Sequence, residues 1–241
     1  MKKILRGIIV FFFASTILAV IAFRFVPVLV TPLMVIRLCE QVKDGVTPRI
    51  YHRWTSLENI SPHMPVAVMA SEDQRFLLHH GFDYKAIENA AKKNRKSGTK
   101  KLGASTITQQ TAKNVFLWPG RTWLRKGLEA YFSLLIEIFW SKQRIMEVYL
   151  NSIEMGDQIY GIYSVSKHHF DKKPIDLTRS ECALIAATLP NPHKYSSKQP
   201  TPYVKKRQRQ IEKQMINIPS FPKEGEKVNP NTVRGGIYKK K

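Results

Sequence analysis

Residues 1–36 constrain the architecture of this chain more than any other segment. Three cations within the first six residues precede an apolar run from Ile8 to Phe23. Counted from Ile4, the run is about 20 residues long, and a helix of that length matches the roughly 30 Å hydrocarbon core of a bilayer. The basic flank predicts a cytoplasmic N-terminus and an extracytoplasmic body. We therefore expect a single transmembrane anchor at residues 1–36.

A cleaved signal peptide is the alternative for this segment. Ala19 and Ala22 are small residues near a plausible cleavage site. Apolar sequence continues past Arg24 to Ile36, however, which favours a retained anchor. Two prolines in that continuation are interpreted as the exit from the bilayer.

The charge balance indicates a partner rich in negative charge. The 241 residues include 39 Lys and Arg against 18 Asp and Glu, a net charge of +21. Nucleic acid, anionic lipid and a phosphorylated substrate all satisfy this condition. A hydrophobic content of 43% is ample for a core, so global disorder is not expected. Cys39 and Cys182 have no metal-like spacing and are predicted to be free thiols.

The body is predicted to be mainly α-helical, because no alternating strand pattern stands out. Residues 37–64 contain several prolines and suggest an irregular lead-in. From residue 219 onward the Pro, Gly, Lys and Asn content predicts a disordered basic tail. Periodicity and capping signals predict helices at about 65–79, 84–96, 105–116, 121–140, 142–151, 161–170, 179–189 and 200–216.

The stretch EDQRFLLHHGFD, which begins at Glu72, is the first candidate for chemistry. On the predicted helix, Glu72 shares a face with Val68, Met69 and Phe76. A carboxylate with apolar neighbours loses hydration and becomes a better base near neutral pH. An ordinary surface residue, or an ion pair with Arg75, is the alternative for a lone glutamate.

A long basic window without any Asp or Glu follows. Its cations are Lys92, Lys93, Arg95, Lys96, Lys100, Lys101, Lys113, Arg121, Arg125 and Lys126. A solvated basic face is the ordinary explanation for such a run. Here the run also contains GASTITQQTAKN, whose amides and hydroxyls suit sugars, while Lys and Arg suit phosphate. No Walker-type loop is present, so nucleotide binding is not indicated.

Glu129, in RTWLRKGLE, is the second candidate carboxylate. An ion pair with Arg125 or Lys126 is the simpler interpretation and contributes only about 0.2–0.5 kcal/mol. Glu129 nevertheless interrupts an apolar helix, where Ser133 and Glu137 continue a narrow polar stripe. One carboxylate in an apolar setting and another among cations is a pattern typical of glycosyl chemistry.

Five segments in this order resemble the motifs of the peptidoglycan glycosyltransferases of family 51. They are SEDQRFLLHHGFD, GASTITQQTAKN, RTWLRKGLE, KQRIMEVYLN and the segment from Gly156 to Pro192. The resemblance covers about residues 50–215. It implies a mainly α, lysozyme-like domain with a small jaw region that dips into the membrane. The expected organisation is an anchor at 1–36, a glycosyltransferase domain at 37–218 and a tail at 219–241, similar to the monofunctional members of the family.

The resemblance also implies roles for individual residues. Glu72 resembles the base that deprotonates the acceptor 4-hydroxyl, and Glu129 the second essential carboxylate, near the diphosphate or its metal. The implied cations around the donor diphosphate are Lys113, Arg121, Arg125 and Lys126. The other implied substrate-binding residues are Asp73, Phe76 and His79 in the first motif and Ser105, Thr106, Gln109 and Gln110 in the second. His79 is expected to be a packed, hydrogen-bonded residue that shapes the site.

Two departures from the family pattern stand out. Ala104 occupies the second of two positions that often hold paired glycines. In the fifth motif, residues 163–166 read Tyr-Ser-Val-Ser where the family tends to have a glutamate followed by small residues. The second departure concerns the shape of that part of the cleft rather than the chemistry.

The implied reaction is polymerisation of lipid II into β-1,4-linked glycan strands, with inversion and release of undecaprenyl diphosphate. The resemblance implies no required cofactor; a divalent cation such as Mg or Mn at the diphosphate is optional, because the sequence has no closed ligand set. The implied partners are lipid II, the growing strand, the membrane and proteins of cell-wall synthesis or division, with no nucleic acid. The implied location is the bacterial inner membrane, with a periplasmic catalytic domain.

Three other functions are consistent with parts of the sequence. A lysozyme-like hydrolase would share a catalytic glutamate but would need neither the basic window nor the anchor. A membrane-tethered nucleic-acid-binding protein would use the charge but would leave both carboxylates idle. A catalytically weak scaffold for the division or elongation machinery is separated from an enzyme only by assay.

Overall fold

This computed structural model describes residues 1–96, 103–120, 122–228, 233 and 237–238. Over these residues the chain forms ten α-helices and one small sheet, which confirms the predicted mainly α class. The helices are α1 (Lys2–Phe25), α2 (Pro32–Lys43), α3 (His63–Glu72), α4 (Tyr84–Lys96), α5 (Ile107–Phe116), α6 (Trp123–Phe139), α7 (Lys142–Ser152), α8 (Gly161–Val165), α9 (Arg179–Thr188) and α10 (Pro202–Met215).

Helix α1 is the long apolar helix predicted at the N-terminus. It has 24 residues, and Val20 is the buried one among them. Its contacts with the body run along α6: Thr16 Oγ1 lies 2.8 Å from Tyr131 Oη, and Trp140 Nε1 donates to the Val20 carbonyl at 2.7 Å. Helices α1 and α6 therefore pack side by side.

Helix α2 falls in a region where the sequence suggests only a bilayer exit and an irregular lead-in. Thr31 caps it by accepting from Met34 N at 3.3 Å, and Pro32 occupies the first turn. Proline in a first turn lacks only an N–H that the helix does not use, so it starts helices as readily as it ends them. Pro32 therefore marks the start of α2, whereas the sequence interpretation assigned it to the exit from the bilayer.

Helix α3 is the centre of the core and ends earlier than predicted. Every residue from Met64 to Ala70 is buried, against α9 and α10 among other elements. The sequence predicts a helix at 65–79, whereas α3 ends at Glu72 and a separate 3-10 turn covers Phe76–Leu78. Asp73 leaves the helical conformation (φ −155°, ψ 80°) because its carboxylate turns toward other elements.

Other helix boundaries agree more closely with the sequence. The predicted helices at 84–96, 142–151, 179–189 and 200–216 are confirmed within two residues at each end. Helix α5 begins at Ile107 with Thr106 as its cap, where the sequence favoured Ser105. The predicted helix at 161–170 is divided into α8 and a wider π turn, Ser166–Phe170.

A three-stranded sheet, which the sequence does not predict, packs against α8. It contains β1 (Tyr51–His52), β2 (Glu154–Gly156) and β3 (Ile159–Tyr160), with β3 between a parallel β1 and an antiparallel β2. Strands of two or three residues are too short to show the alternation of apolar and polar residues by which a strand is predicted. Gly161 follows β3 with φ +75°, and a Cβ there would lie 2.7 Å from the Asn151 carbonyl oxygen, so only glycine fits.

Residues 219–228 lie against the body, which differs from the disordered tail expected there. Phe221 stacks on Phe76 with ring centroids 6.4 Å apart, and Gln143 Nε2 donates to the Pro222 carbonyl at 3.1 Å. A single aromatic ring can fix such a segment by burying its face, and overall composition does not reveal this contact.

Candidate active site

Glu72 lies at the mouth of an open cleft. It is the last residue of α3, and the cleft of about 560 Å³ is also lined by Asp73, Asp83, Ser105 and Thr106. The first and second motifs therefore meet at one cavity, as their predicted roles require. Ser105 is exposed in this lining, which leaves its hydroxyl accessible to a bound molecule.

Both oxygens of the Glu72 carboxylate accept hydrogen bonds. Ser71 Oγ donates to Oε1 at 3.0 Å, and Gln110 Nε2 donates to Oε2 at 3.2 Å. Arg75, the ion-pair partner considered for Glu72, instead places its Nε 3.2 Å from Asp83 Oδ1. Each carboxylate oxygen has a second lone pair, so Glu72 can still accept a proton from a substrate hydroxyl.

Asp73 joins the first motif to the start of α5. Its Oδ2 accepts from Ile107 N at 3.1 Å and lies 2.9 Å from His79 Nε2. A carboxylate at a helix N-terminus is stabilised by the unsatisfied N–H groups there. His79 is 7% exposed and packed, which agrees with the shaping role expected for it. For Asp73, direct contact with substrate stays a prediction.

Thr106 and Gln109 form a capping box at the start of α5. Gln109 N donates to Thr106 Oγ1 at 3.2 Å, and Thr106 N donates to Gln109 Oε1 at 3.0 Å. Thr106 Oγ1 also donates to the Gly81 carbonyl at 2.6 Å. Both side chains are buried and have structural partners. Their predicted substrate contacts are not apparent from this geometry and stay predictions.

Phe76 is fully buried, so its predicted contact with substrate stays a prediction. Its ring lies beside a charged cluster that the sequence did not indicate as part of the site. Lys142 Nζ lies 4.5 Å from the Phe76 ring centroid and 2.7 Å from Glu137 Oε1. Thr108 Oγ1 donates to the same Glu137 oxygen at 2.5 Å. Burial lowers the pKa of Lys142, while Glu137 opposes that shift. The polar stripe ending at Glu137 was the signal that could have identified this cluster.

Glu129 is buried among cations on α6. It is 3% exposed, Arg125 Nη1 lies 2.8 Å from its Oε2, and Lys126 Nζ contacts its Oε1. Both ion pairs weighed in the sequence interpretation therefore form. Ser133 Oγ donates to the Glu129 carbonyl at 2.6 Å, so the predicted polar stripe is present and buried. The predicted donor-site residue Arg121 lies outside the described residues.

Lys113 lies between the two carboxylates. Burial lowers its pKa, Glu129 and Glu72 oppose that shift, and Arg125 and Lys126 add to it. Among the described residues the Lys113 ammonium has no ion pair within 4.0 Å. A partly buried cation without a fixed partner is available to an anionic ligand.

One face of α5 connects the base to the cations. Gln110, which contacts Glu72, and Lys113 are three residues apart and therefore neighbours on the helix surface. Helix α5 also packs against α6, which carries Glu129. A substrate laid along this face would meet a carboxylate at one end and three cations at the other. This arrangement suits attack by a hydroxyl on a carbon that carries a diphosphate leaving group.

The donor set for a metal is sparse in the described part of the chain. No group of three or more His, Cys, Asp or Glu side chains there could hold a metal ion. Glu129 has each oxygen paired with a cation. Mg²⁺ often binds through one or two carboxylates plus substrate phosphates, so a metal would depend mostly on ligands from the substrate. Use of a divalent cation stays a prediction.

Large apolar side chains are exposed beside the cation cluster. Trp123 is 92% exposed and Leu124 70% exposed at the start of α6, and Leu134 and Ile138 continue the exposed face. The opposite face of α6, with Phe132 among its residues, is buried. Exposed apolar surface of this extent marks a contact with lipid or protein.

The fourth and fifth motifs are structural in the described fold. Asn151 accepts from Thr55 N and donates to Thr55 O, both at 2.8 Å. Tyr163, which replaces the usual glutamate, accepts from Arg53 Nη1 at 2.8 Å and lies under its guanidinium. A phenol oxygen thus supplies the acceptor that a carboxylate would offer to this arginine.

Comparison with known proteins agrees with this geometry. Residues 40–216 match the family described as Transglycosylase. The chain is 58% identical over 224 residues to the biosynthetic peptidoglycan transglycosylase of Bacteroides thetaiotaomicron, covering 92% of this chain and 90% of that protein. It is 48% identical to the protein of that name from Bdellovibrio bacteriovorus (92% and 88% covered) and 45% identical to that from Haemophilus influenzae (90% and 89%). On this evidence, and in agreement with the five motifs and with the cleft that the first two of them line, the chain belongs to the transglycosylase family.

Proposed function

We propose that this protein is a peptidoglycan glycosyltransferase that polymerises lipid II into β-1,4-linked glycan strands for cell-wall synthesis. The observation that carries the proposal is the α5 face on which Gln110 contacts Glu72 one turn before Lys113, with α5 packed against the helix that carries the Glu129 ion pairs. The names of the relatives, all biosynthetic peptidoglycan transglycosylases, support the same activity.

In this mechanism Glu72 acts as the general base. Its carboxylate takes the proton of the acceptor 4-hydroxyl, and the oxygen attacks the anomeric carbon from the face opposite the diphosphate. A new C–O bond forms as the bond to the diphosphate breaks, so the configuration at that carbon inverts. Ser71 and Gln110 hold the carboxylate in place from two sides.

The cations stabilise the leaving group. Charge accumulates on undecaprenyl diphosphate as the bond breaks, and preorganised cations stabilise that charge more than they stabilise the ground state. Arg125 and Lys126 are held by Glu129, which keeps both in one orientation, and Lys113 completes the set. A divalent cation at the diphosphate would add to the same effect without being required.

The packing of α1 against α6 supports a reaction at the membrane surface. Thr16 lies nine residues before the end of α1, so its contact with Tyr131 is about 14 Å below that end. With the N-terminus in the cytoplasm, the exposed face of α6 then lies at the level of lipid, next to the lipid-linked substrate. The proposed location is the inner membrane, with the catalytic domain in the periplasm.

The proposed partners are lipid II and the growing glycan strand. Proteins of cell-wall synthesis or division are further proposed partners. Nucleic acid is not a proposed partner, because that function would leave Glu72 and the ion-paired Glu129 without a task.

Incubation of the purified full-length protein with lipid II in neutral detergent tests the proposal. We expect a ladder of glycan on a gel, which disappears when a muramidase is added. Absence of polymer would refute the activity, and shortening of preformed glycan strands would indicate a hydrolase. Retention on DNA with a steep salt dependence would instead favour a nucleic-acid-binding protein.

A further inference from the structure

A chain of hydrogen bonds leads from the core to the proposed base. Tyr149 Oη donates to Gln110 Oε1 at 3.3 Å, and Gln110 Nε2 donates to Glu72 Oε2 at 3.2 Å. Tyr149 is on α7, Gln110 on α5 and Glu72 at the end of α3, so three separate helices contribute. The side chain of Gln110 is half-buried and stands between the other two.

The phenol decides which way the Gln110 amide points. An amide side chain has one acceptor end and one donor end of nearly the same shape, and its orientation depends on its partners. Because the Tyr149 hydroxyl donates a proton, the end of the Gln110 amide that faces it must be the carbonyl oxygen. The N–H₂ group is then directed at Glu72, whereas a rotated amide would set its oxygen against the carboxylate.

Tyr149 remains a donor throughout the pH range of any assay. The residue is 0% exposed, so no bulk water competes for its hydroxyl. Burial raises the pKa of Tyr149 well above its usual value, and the charges of Glu72 and Asp73 act in the same direction.

We propose that Tyr149 is a positioning residue for glycosyl transfer, which orients the Glu72 carboxylate through Gln110. The inference rests on the proposed function, in which Glu72 is the base. Tyr149 is buried in the core and does not reach the cleft, so it acts only through Gln110. Gln110, which the sequence predicts to bind substrate, then also aligns the Glu72 carboxylate.

Several charged groups face Glu72 from the elements packed around it. They are Asp73 after α3, Lys113 on α5, Tyr149 on α7 and Arg207 on α10, with Arg75, Asp83 and Lys85 lining the same cleft. Tyr149→Phe removes one hydroxyl and leaves all the other groups in place. A change in the hydrogen bonding of the Glu72 carboxylate in that variant therefore reports the Gln110 amide.

The kinetic test compares Tyr149→Phe with Tyr160→Phe in lipid II polymerisation. Tyr160 is the matched control, because it is also fully buried and its hydroxyl also donates to a side-chain oxygen, Glu154 Oε1 at 3.2 Å, on the β2–β3 hairpin. We expect Tyr149→Phe to lower kcat about tenfold, as misalignment of a catalytic group does, with little change in KM. Equal kcat losses in the two variants would overturn the proposal.

A double-mutant cycle tests whether Tyr149 acts through Gln110. In a Gln110→Met background the phenol has no amide to orient, so adding Tyr149→Phe should lower kcat no further. Effects that multiply would show that Tyr149 acts by another route and would overturn the proposal. Thermal unfolding of each variant identifies any loss of folded protein.

A measurement independent of turnover separates this inference from the proposed function. Isotope-edited infrared spectra of the full-length protein follow the Glu72 carboxylate band, which is assigned by its loss in Glu72→Gln. At a fixed pH, Tyr149→Phe should shift the position of that band, because the carboxylate loses an aligned hydrogen-bond donor. An unshifted band overturns the inference; a shifted band without any glycan product refutes the proposed function alone.

Discussion

Glu72→Gln should abolish polymerisation while the protein stays folded. Ser71 Oγ lies 3.0 Å from Glu72 Oε1 and 3.3 Å from the Ala186 carbonyl. In the variant, the amide nitrogen can donate to Ser71 Oγ while the Ser71 hydroxyl donates to Ala186. The remaining amide oxygen accepts from Gln110 Nε2, as the carboxylate did at 3.2 Å. Every hydrogen bond of the wild type then has a replacement.

The two consequences of this substitution differ greatly in magnitude. With all partners satisfied, the free energy of unfolding should change by no more than about 1 kcal/mol. Loss of a general base lowers turnover by about 10²–10⁴. At about 1.4 kcal/mol for each factor of ten, that corresponds to roughly 3–5 kcal/mol in the activation barrier.

The assay is lipid II turnover in neutral detergent, with thermal unfolding measured on the same samples. Glu58→Gln is the matched control, because Glu58 is exposed and lies in a 3-10 turn away from the cleft. We expect it to keep wild-type turnover. Turnover of Glu72→Gln within about tenfold of wild type would refute the assignment of the base, since the smallest expected loss is about a hundredfold.

Three further outcomes follow from the cation cluster and the anchor. In neutral detergent, turnover by Arg125→Ala should be at least about tenfold slower than by the wild type. Attraction to anionic lipid, about 1 kcal/mol per charge, is absent there and cannot explain the loss. A wild-type rate in that detergent would mean that Arg125 faces lipid. Burial lowers the pKa of Lys113, so its charge is lost at a lower pH than that of an exposed lysine, and turnover should fall on the alkaline side. Lys113→Arg keeps the charge and should move that limb of the pH–rate profile to higher pH, and an unmoved limb would assign it to another group. Mass spectrometry of the protein from membranes should find residues 1–36 retained, whereas an N-terminus near Phe23 would indicate a cleaved signal peptide. A reporter that is active only in the cytoplasm should be inactive when fused to the C-terminus, and its activity would refute the proposed orientation.

The sequence by itself was sufficient for the helical class and for the order of the motifs. Capping signals are local, so Ser141 and the Thr178–Glu181 box start α7 and α9 where they were predicted. The two carboxylates were also identified, because an acid on an apolar helix needs partners or a task. Glu129 has those partners four and three residues away, within its own helix, so its ion pairs could be predicted from spacing alone.

Contacts between distant segments were decided only by the tertiary structure. Asp73 can continue a helix or cap one, and it ends α3 because Ile107 N, 34 residues further along, lies within 3.1 Å of its carboxylate. The orientation of Gln110 depends on Tyr149, 39 residues away. Asp and Gln side chains can satisfy their hydrogen bonds with local or remote partners at similar free energy. The packing of the helices selects one of these options, and the selection sets the alignment of the base at the end of α3.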